Sequence, residues 1–239
     1  MPQPAPFLTA MWRDLAMLNY EIDPSVLASR VPYGTELDAW NGRTFASVVG
    51  FRFLDTRVRG LAIPHHRDFE ELNLRFYVRR KAADGWRRGV VFVKEVVPRR
   101  AIAWLARAIY NENYFALRMR HGITEAPSAR RAAYEWFHAK RWNVLTLDSA
   151  GDAHVPSEDS EEAFITEHYW GYARQRDGGT VEYQVEHPRW PVVRATSAAL
   201  DCDVASFYGS EFASFLCGPP SSAFLAEGSA VTVRRGVRL

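Results

Sequence analysis

Lysine is nearly missing from this sequence. Lys81, Lys94 and Lys140 are the three lysines among 30 basic residues, so amine chemistry has only three possible centres. Cysteine is scarcer still. Cys202 and Cys217 have neither the paired spacing of a disulfide scaffold nor the added histidines of a zinc site. They read as small hydrophobes of a reducing compartment. No GxGxxG follows a strand and no Walker loop occurs, which removes any sequence basis for dinucleotide or P-loop chemistry. The Gly-x-Ser-x-Gly elbow of α/β-hydrolases is also absent. His65-His66 is the one histidine pair. Neighbouring side chains on an extended chain point apart, and no HxH or HxxxH spacing accompanies them, so neither a metal nor any other cofactor is expected. No run approaches the roughly 18 apolar residues of a membrane span. The N-terminus lacks a basic region followed by an unbroken apolar stretch, since Arg13 and Asp14 interrupt it. A cytoplasmic protein without membrane contact is the expectation. A net charge of +2 gives no reason to expect a nucleic-acid partner, and nothing in the sequence speaks to oligomeric state.

What is present suits one soluble domain over residues 1–239, with 47% hydrophobic and 24% charged residues. Met11–Ile22 is a mixed strand candidate. Asp23-Pro24 supplies an N-cap and an N1 proline for a short helix ended by Pro32, and Asn41-Gly42 is a turn feeding a strand over Thr44–Phe53. Further strands are expected at Phe69–Val78, Val90–Val97, Phe115–Arg120, Ala132–His138, Trp142–Leu147, Tyr169–Arg174, Thr180–His187, Val192–Asp203 and Ala230–Val237. Helical spacing marks Arg99–Tyr110 and Phe207–Leu216, and the acidic stretch Ser157–Ala163 reads as a helix start. Strands joined by turns outnumber helices, so the class is α+β, mostly antiparallel, in a closed or half-closed barrel.

One segment says most about function. Period-two alternation puts Leu72, Leu74, Phe76 and Val78 on one face of a strand, with Glu71, Asn73, Arg75 and Tyr77 on the other. An acid, an amide, a guanidinium and a phenol then stand about 7 Å apart at successive same-face positions. Lining a cavity, they could hold a small anionic or carbonyl-bearing molecule; exposed, they would be cross-strand ion pairs. In Val90–Val97, Lys94 and Glu95 are adjacent and project to opposite faces, so one charge must face an apolar side or a cavity. Burial would lower a lysine towards a nucleophilic amine, or raise a glutamate towards a general acid. His168 and His187 flank the Asp177-Gly178-Gly179 turn on the two arms of a hairpin, where either could line a pocket.

Together these landmarks resemble the uncharacterised YqjF-like family of the acetoacetate decarboxylase-like superfamily. The matching stretches are Met11-Trp12-Arg13-Asp14-Leu15, Pro32-Tyr33-Gly34-Thr35-Glu36-Leu37-Asp38 followed by Asn41-Gly42, and Phe69-x-Glu71-Leu72-Asn73-Leu74-Arg75-x-Tyr77-Val78. Ala106-Arg107 ahead of Tyr114, and the late His187-Pro188-x-Trp190, extend the match. The resemblance implies a cone-like antiparallel β-barrel with peripheral helices and an interior site. In the superfamily's decarboxylases a lysine, its pKa lowered by a second lysine, forms a Schiff base with a β-keto acid. The aligned motif falls on Tyr110-Asn111-Glu112-Asn113-Tyr114-Phe115, which puts aromatic residues at both lysine positions. Glu71 matches the superfamily's glutamate, and Glu95 an acidic position of the family.

Three readings follow. In the first, a pocket binds a small organic acid or carbonyl compound. Glu71, Arg75 and Glu95 are then the candidate catalytic residues, and Asn73, Tyr77, Arg107, Tyr114, His168 and His187 the candidate ligand contacts, with acid–base rather than Schiff-base chemistry. The second is a non-enzymatic ligand-binding or sensing protein, and the third a lyase using Lys94 as a relocated amine.

Overall fold

A computed structural model describes residues 4–63, 66–99 and 113–239. Its frame is set by one long strand, β1 (Pro6–Glu21). Along one edge β1 pairs antiparallel with β3 (Phe45–Val58) from Leu8 to Glu21. Its other edge is shared. Pro6–Met11 pairs with β15 (Ala230–Arg234), and Leu15–Asn19 with β14 (Ser222–Ala226). The handover lies at Asp14, a non-glycine residue at φ 56°, where the register to β3 also slips between Arg13 and Ala16. This is a bulge. The Arg52 Nε on β3 donates to Asp14 Oδ2 at 2.9 Å and ties the bulge to its neighbour.

From β3 the ring continues through β5 (Phe69–Ala82), β6 (Gly85–Val97), β11 (Trp170–Arg174) and β12 (Thr180–Glu186) to β15, and so back to β1. Every pair in this ring is antiparallel except β6–β11. Minor strands attach at its rim: β2 (Glu36–Leu37), β4 (Leu61–Ala62), β7 (Tyr114–Ala116) and β16 (Val237–Arg238). From β14 a second sheet runs through β13 (Val192–Asp201), β10 (Arg141–Ala150), β9 (Ala129–His138) and β8 (Met119–Ala126).

Alternation divides the ring's side chains into two cores. Leu72, Leu74, Phe76 and Val48 point outward, and the second sheet supplies Tyr134, Trp136, Leu145 and Leu147 to cover them. Leu15, Val49, Phe51, Phe69 and Tyr77 point inward. The outward face of β5, for which helices were expected as cover, is therefore roofed mainly by strands. At Gly50 the two layers come close together. A Cβ there would lie 2.5 Å from the Tyr134 ring, whose hydroxyl donates to the Asp14 carbonyl at 2.7 Å.

The helices are short. α1 (Pro24–Ala28) begins with the Asp23 cap accepting from Ser25 N. α2 (Glu161–Thr166) starts later than expected, because Ser160 is the residue whose hydroxyl accepts from Ala163 N. The single helix expected over Phe207–Leu216 is two, α3 (Val204–Phe207) and α4 (Ser210–Leu216). Gly209, at φ 121°, breaks the turn between them. The strand expected over Phe115–Arg120 is likewise split, since β7 adds to the ring and β8 to the second sheet. The last strand stops at Arg234 and resumes as β16 further along β12, which pairs with both pieces. Sequence reading missed β14, the partner of β1. Arg107 and the helix expected around it lie outside the described residues, as does His65. No helix among the described residues is long and apolar enough to cross a membrane.

Gly50→Ala forces a methyl group into the Tyr134 ring. It should destabilise the fold by about 1–3 kcal/mol, as overpacking does, read as a lower urea midpoint with unchanged slope.

Candidate functional site in the ring interior

The ring encloses a cavity of about 170 Å³. The inward face of β5 carries Glu71, Asn73 and Arg75 onto its wall, and β6 adds Glu95 beside Asn73. A bulge makes this possible. Leu74 pairs with Lys94 and Arg75 with Phe92, so Val93 has no partner across the ladder. The Asn113 amide instead donates to the Val93 carbonyl at 2.8 Å. Phe92 and Glu95 both face inward, while Lys94 points out. Its ammonium donates to the Phe207 carbonyl and lies 4.8 and 4.4 Å from the Phe115 and Phe207 rings. Burial lowers the Lys94 pKa. None of the three lysines lines the cavity, so Lys94 has no geometry for the relocated-amine reading.

Glu71 is the hub of the polar wall. Its carboxyl is 3% exposed and receives the Asn73 amide at 3.1 Å and the Tyr114 hydroxyl at 3.0 Å. Burial raises its pKa to about 7, against the lowering pull of those two bonds and of Arg75.

Arg75 is less well satisfied. Its Nη2 makes one long bond to the Ile165 carbonyl, 3.4 Å, and its Nε is buried without a partner among the described residues.

A second carboxyl acts through a histidine. Asp38 is buried, and burial alone would raise its pKa. Bonds from His168 Nε2 at 3.1 Å and from Arg88 Nε at 2.7 Å outweigh that and hold it at about 2. Burial lowers His168 to about 4 despite the carboxylate, so near neutral pH its ring is uncharged. The bond to Asp38 assigns the proton to Nε2. Nδ1 is then a bare lone pair, buried and without a partner among the described residues, on a residue of the cavity wall. α2 seats this pair, with Phe164 against the His168 ring at 5.1 Å and Thr166 on the wall. Asp38 and Arg88 were not singled out from the sequence; only the placement of Asp38 in the matched Pro32–Asp38 stretch hinted at it.

His187 also reaches the wall. It stacks on Trp190 at 3.9 Å with its Nδ1 2.8 Å from the Pro188 carbonyl, and burial lowers it to about 4. Tyr77 shares the inward face but stops short of the cavity. Its hydroxyl bonds Ser47 at 2.6 Å, and Ser47 bonds Asn19 at 2.7 Å. Arg107 lies outside the described residues. No group of three or more metal-ligating side chains occurs among those described.

Comparison with known proteins agrees with this architecture. The model of the DUF2071 family, described as an uncharacterized conserved protein, matches residues 9–230. The chain is 28% identical over 186 residues to the uncharacterized protein YqjF of Bacillus subtilis (strain 168), covering 74% of this chain and 72% of that one. Among solved structures it is similar to an acetoacetate decarboxylase-like enzyme from Sphingomonas wittichii RW1 (TM-score 0.69, 11% identity, 98% of this chain and 94% of that one). It is also similar to the enduracididine biosynthesis enzyme MppR complexed with pyruvate (0.68, 12%, 100% and 91%). A third is the acetoacetate decarboxylase of Legionella pneumophila (0.65, 14%, 99% and 88%). At these identities the likeness shows the fold.

The Glu71 carboxyl should reveal itself in stability. Its folded pKa lies above its unfolded one, so the stability it permits as a neutral acid below about 4.5 is lost as pH rises through about 7. Glu71→Gln stays neutral throughout. Its stability relative to wild type should therefore improve between pH 4.5 and pH 8, by on the order of 3 kcal/mol in urea unfolding. A difference that does not change with pH would show that Glu71 is not held protonated.

Proposed function

The chain belongs to the DUF2071 family of uncharacterized conserved proteins, within the acetoacetate decarboxylase-like fold, and we propose that its ring interior binds a small organic acid or carbonyl compound and treats it by acid–base chemistry. One observation carries this reading: a guanidinium on the cavity wall, its buried Nε without a partner among the described residues, beside a carboxyl that burial holds near neutrality. Arg75 supplies the fork that a carboxylate fits. Glu71 has a pKa matched to proton transfer near pH 7, with Tyr114 and Asn73 fixing its orientation. The bare Nδ1 of His168 offers an acceptor for an enol or hydroxyl proton, and Glu95 a second carboxyl on the same wall. Structural similarity to MppR, described in complex with pyruvate, supports an oxo acid as the class. A Schiff base requires an amine at the wall, and Lys94 faces the other way.

Titration calorimetry with pyruvate and acetoacetate tests the binding step. Wild type should bind, and Arg75→Gln should lose at least tenfold in affinity, since a charge-assisted bidentate pair is at stake. A variant that unfolds at the same temperature as wild type and binds equally well would overturn the reading.

Incubation with acetoacetate and borohydride should leave the intact mass unchanged. A reduced adduct that vanishes in Lys94→Ala would restore Schiff-base chemistry.

A further inference from the structure

The polar groups occupy only part of the cavity. Phe7, Leu8, Val58, Val185 and Val233 line the rest, as does Ile63, which at 37% exposure brings this end to the surface. Between the two ends stands an aromatic wall. Trp12 meets Phe51 edge-on at 5.1 Å and Phe53 at 5.5 Å, and lies 6.1 Å from Trp190, which His187 covers. The two ends share one surface, because the β5 face bearing Arg75, Asn73 and Glu71 ends in Phe69, stacked on Phe53 at 4.7 Å.

From this division we propose that the ligand is an aryl oxo acid, with a carboxylate and carbonyl head at Arg75 and Glu71 and an aromatic ring between Trp12, Phe51 and Trp190. The inference rests on the head-binding reading above and adds the tail. Size is compatible with it: apolar protein cavities of about 150 Å³ accommodate benzene, and this one, about 170 Å³, opens to the surface at Ile63, which gives a ring-bearing acid the remaining length. A three-carbon acid alone would leave the aromatic wall facing water. Chemistry favours a ring over an alkyl chain. The Trp12 Nε1–H is buried on a residue of the cavity wall and has no acceptor among the described residues, and the face of an aromatic ring is an acceptor that an alkyl chain lacks.

The test is calorimetry with phenylpyruvate, 4-methyl-2-oxopentanoate and pyruvate on the full chain. Phenylpyruvate should bind at least tenfold more tightly than pyruvate and more tightly than the branched alkyl acid. Val233→Trp, which fills the apolar end, should erase that advantage; Val185→Phe serves the same purpose if the first variant does not fold. Equal affinities for pyruvate and phenylpyruvate in wild type would overturn the aryl tail and leave the head site standing. An alkyl acid that matches phenylpyruvate would also overturn it. Failure of all three acids to bind would overturn both readings together.

Discussion

The structure depends on one strand having more partners than two edges allow. β1 gives a full edge to β3 and divides the other between β15 and β14, with the division at Asp14. The first half closes the ring and the second founds the sheet that roofs it. A strand can do this only if its twist changes abruptly, which a bulge provides. The ion pair to Arg52 and the Tyr134 hydroxyl on the Asp14 carbonyl fix the bulge from both layers. Without closure, the polar face of β5 would look onto water, and its carboxyl and guanidinium would be ordinary surface charges worth little to one another.

Closure changes what those charges are. In water Glu71 and Arg75 would each be solvated; inside the ring each must find its stabilisation in fixed dipoles or do without. The Asp38 carboxylate is held by Arg88 and His168, and the group ends with an ionised acid and a neutral base. Glu71 is underserved and keeps its proton up to about pH 7. Two buried carboxyls, one on β5 and one just after β2, thus differ widely in acidity. Each accepts two side-chain bonds, but one of those on Asp38 comes from the charged Arg88 guanidinium, whereas Glu71 is bonded only by the neutral Asn73 amide and Tyr114 hydroxyl.

The strand ladder was legible because alternation is a local property. Leu72-x-Leu74-x-Phe76 marks one face whatever the rest of the chain does, and the polar residues between them had to share the other. Glu71, Asn73 and Arg75 were found that way. The Asp38–His168 pair was not, since those residues are 130 positions apart and meet only when the ring brings β2's loop against α2. The aromatic end escaped for a similar reason. Phe7, Val185 and Val233 are unremarkable in three separate strands, and become a surface only by being paired through β15. β14 was missed because Ser222–Ala226 is short and carries no alternation of its own; its partner defines it.

The unpaired Val93 decides which charge the ring contains. Strict alternation from Phe92 would turn Lys94 inward and Glu95 outward, and the extra residue exchanges them. An amine and a carboxylate lie side by side in the chain, and a single residue of backbone selects between them. Within one fold, then, reaction type can diverge by slippage of the ladder as well as by substitution. A deletion of one apolar residue, silent to any reading that weighs only the polar positions, would put an amine on the cavity wall where a carboxyl now stands.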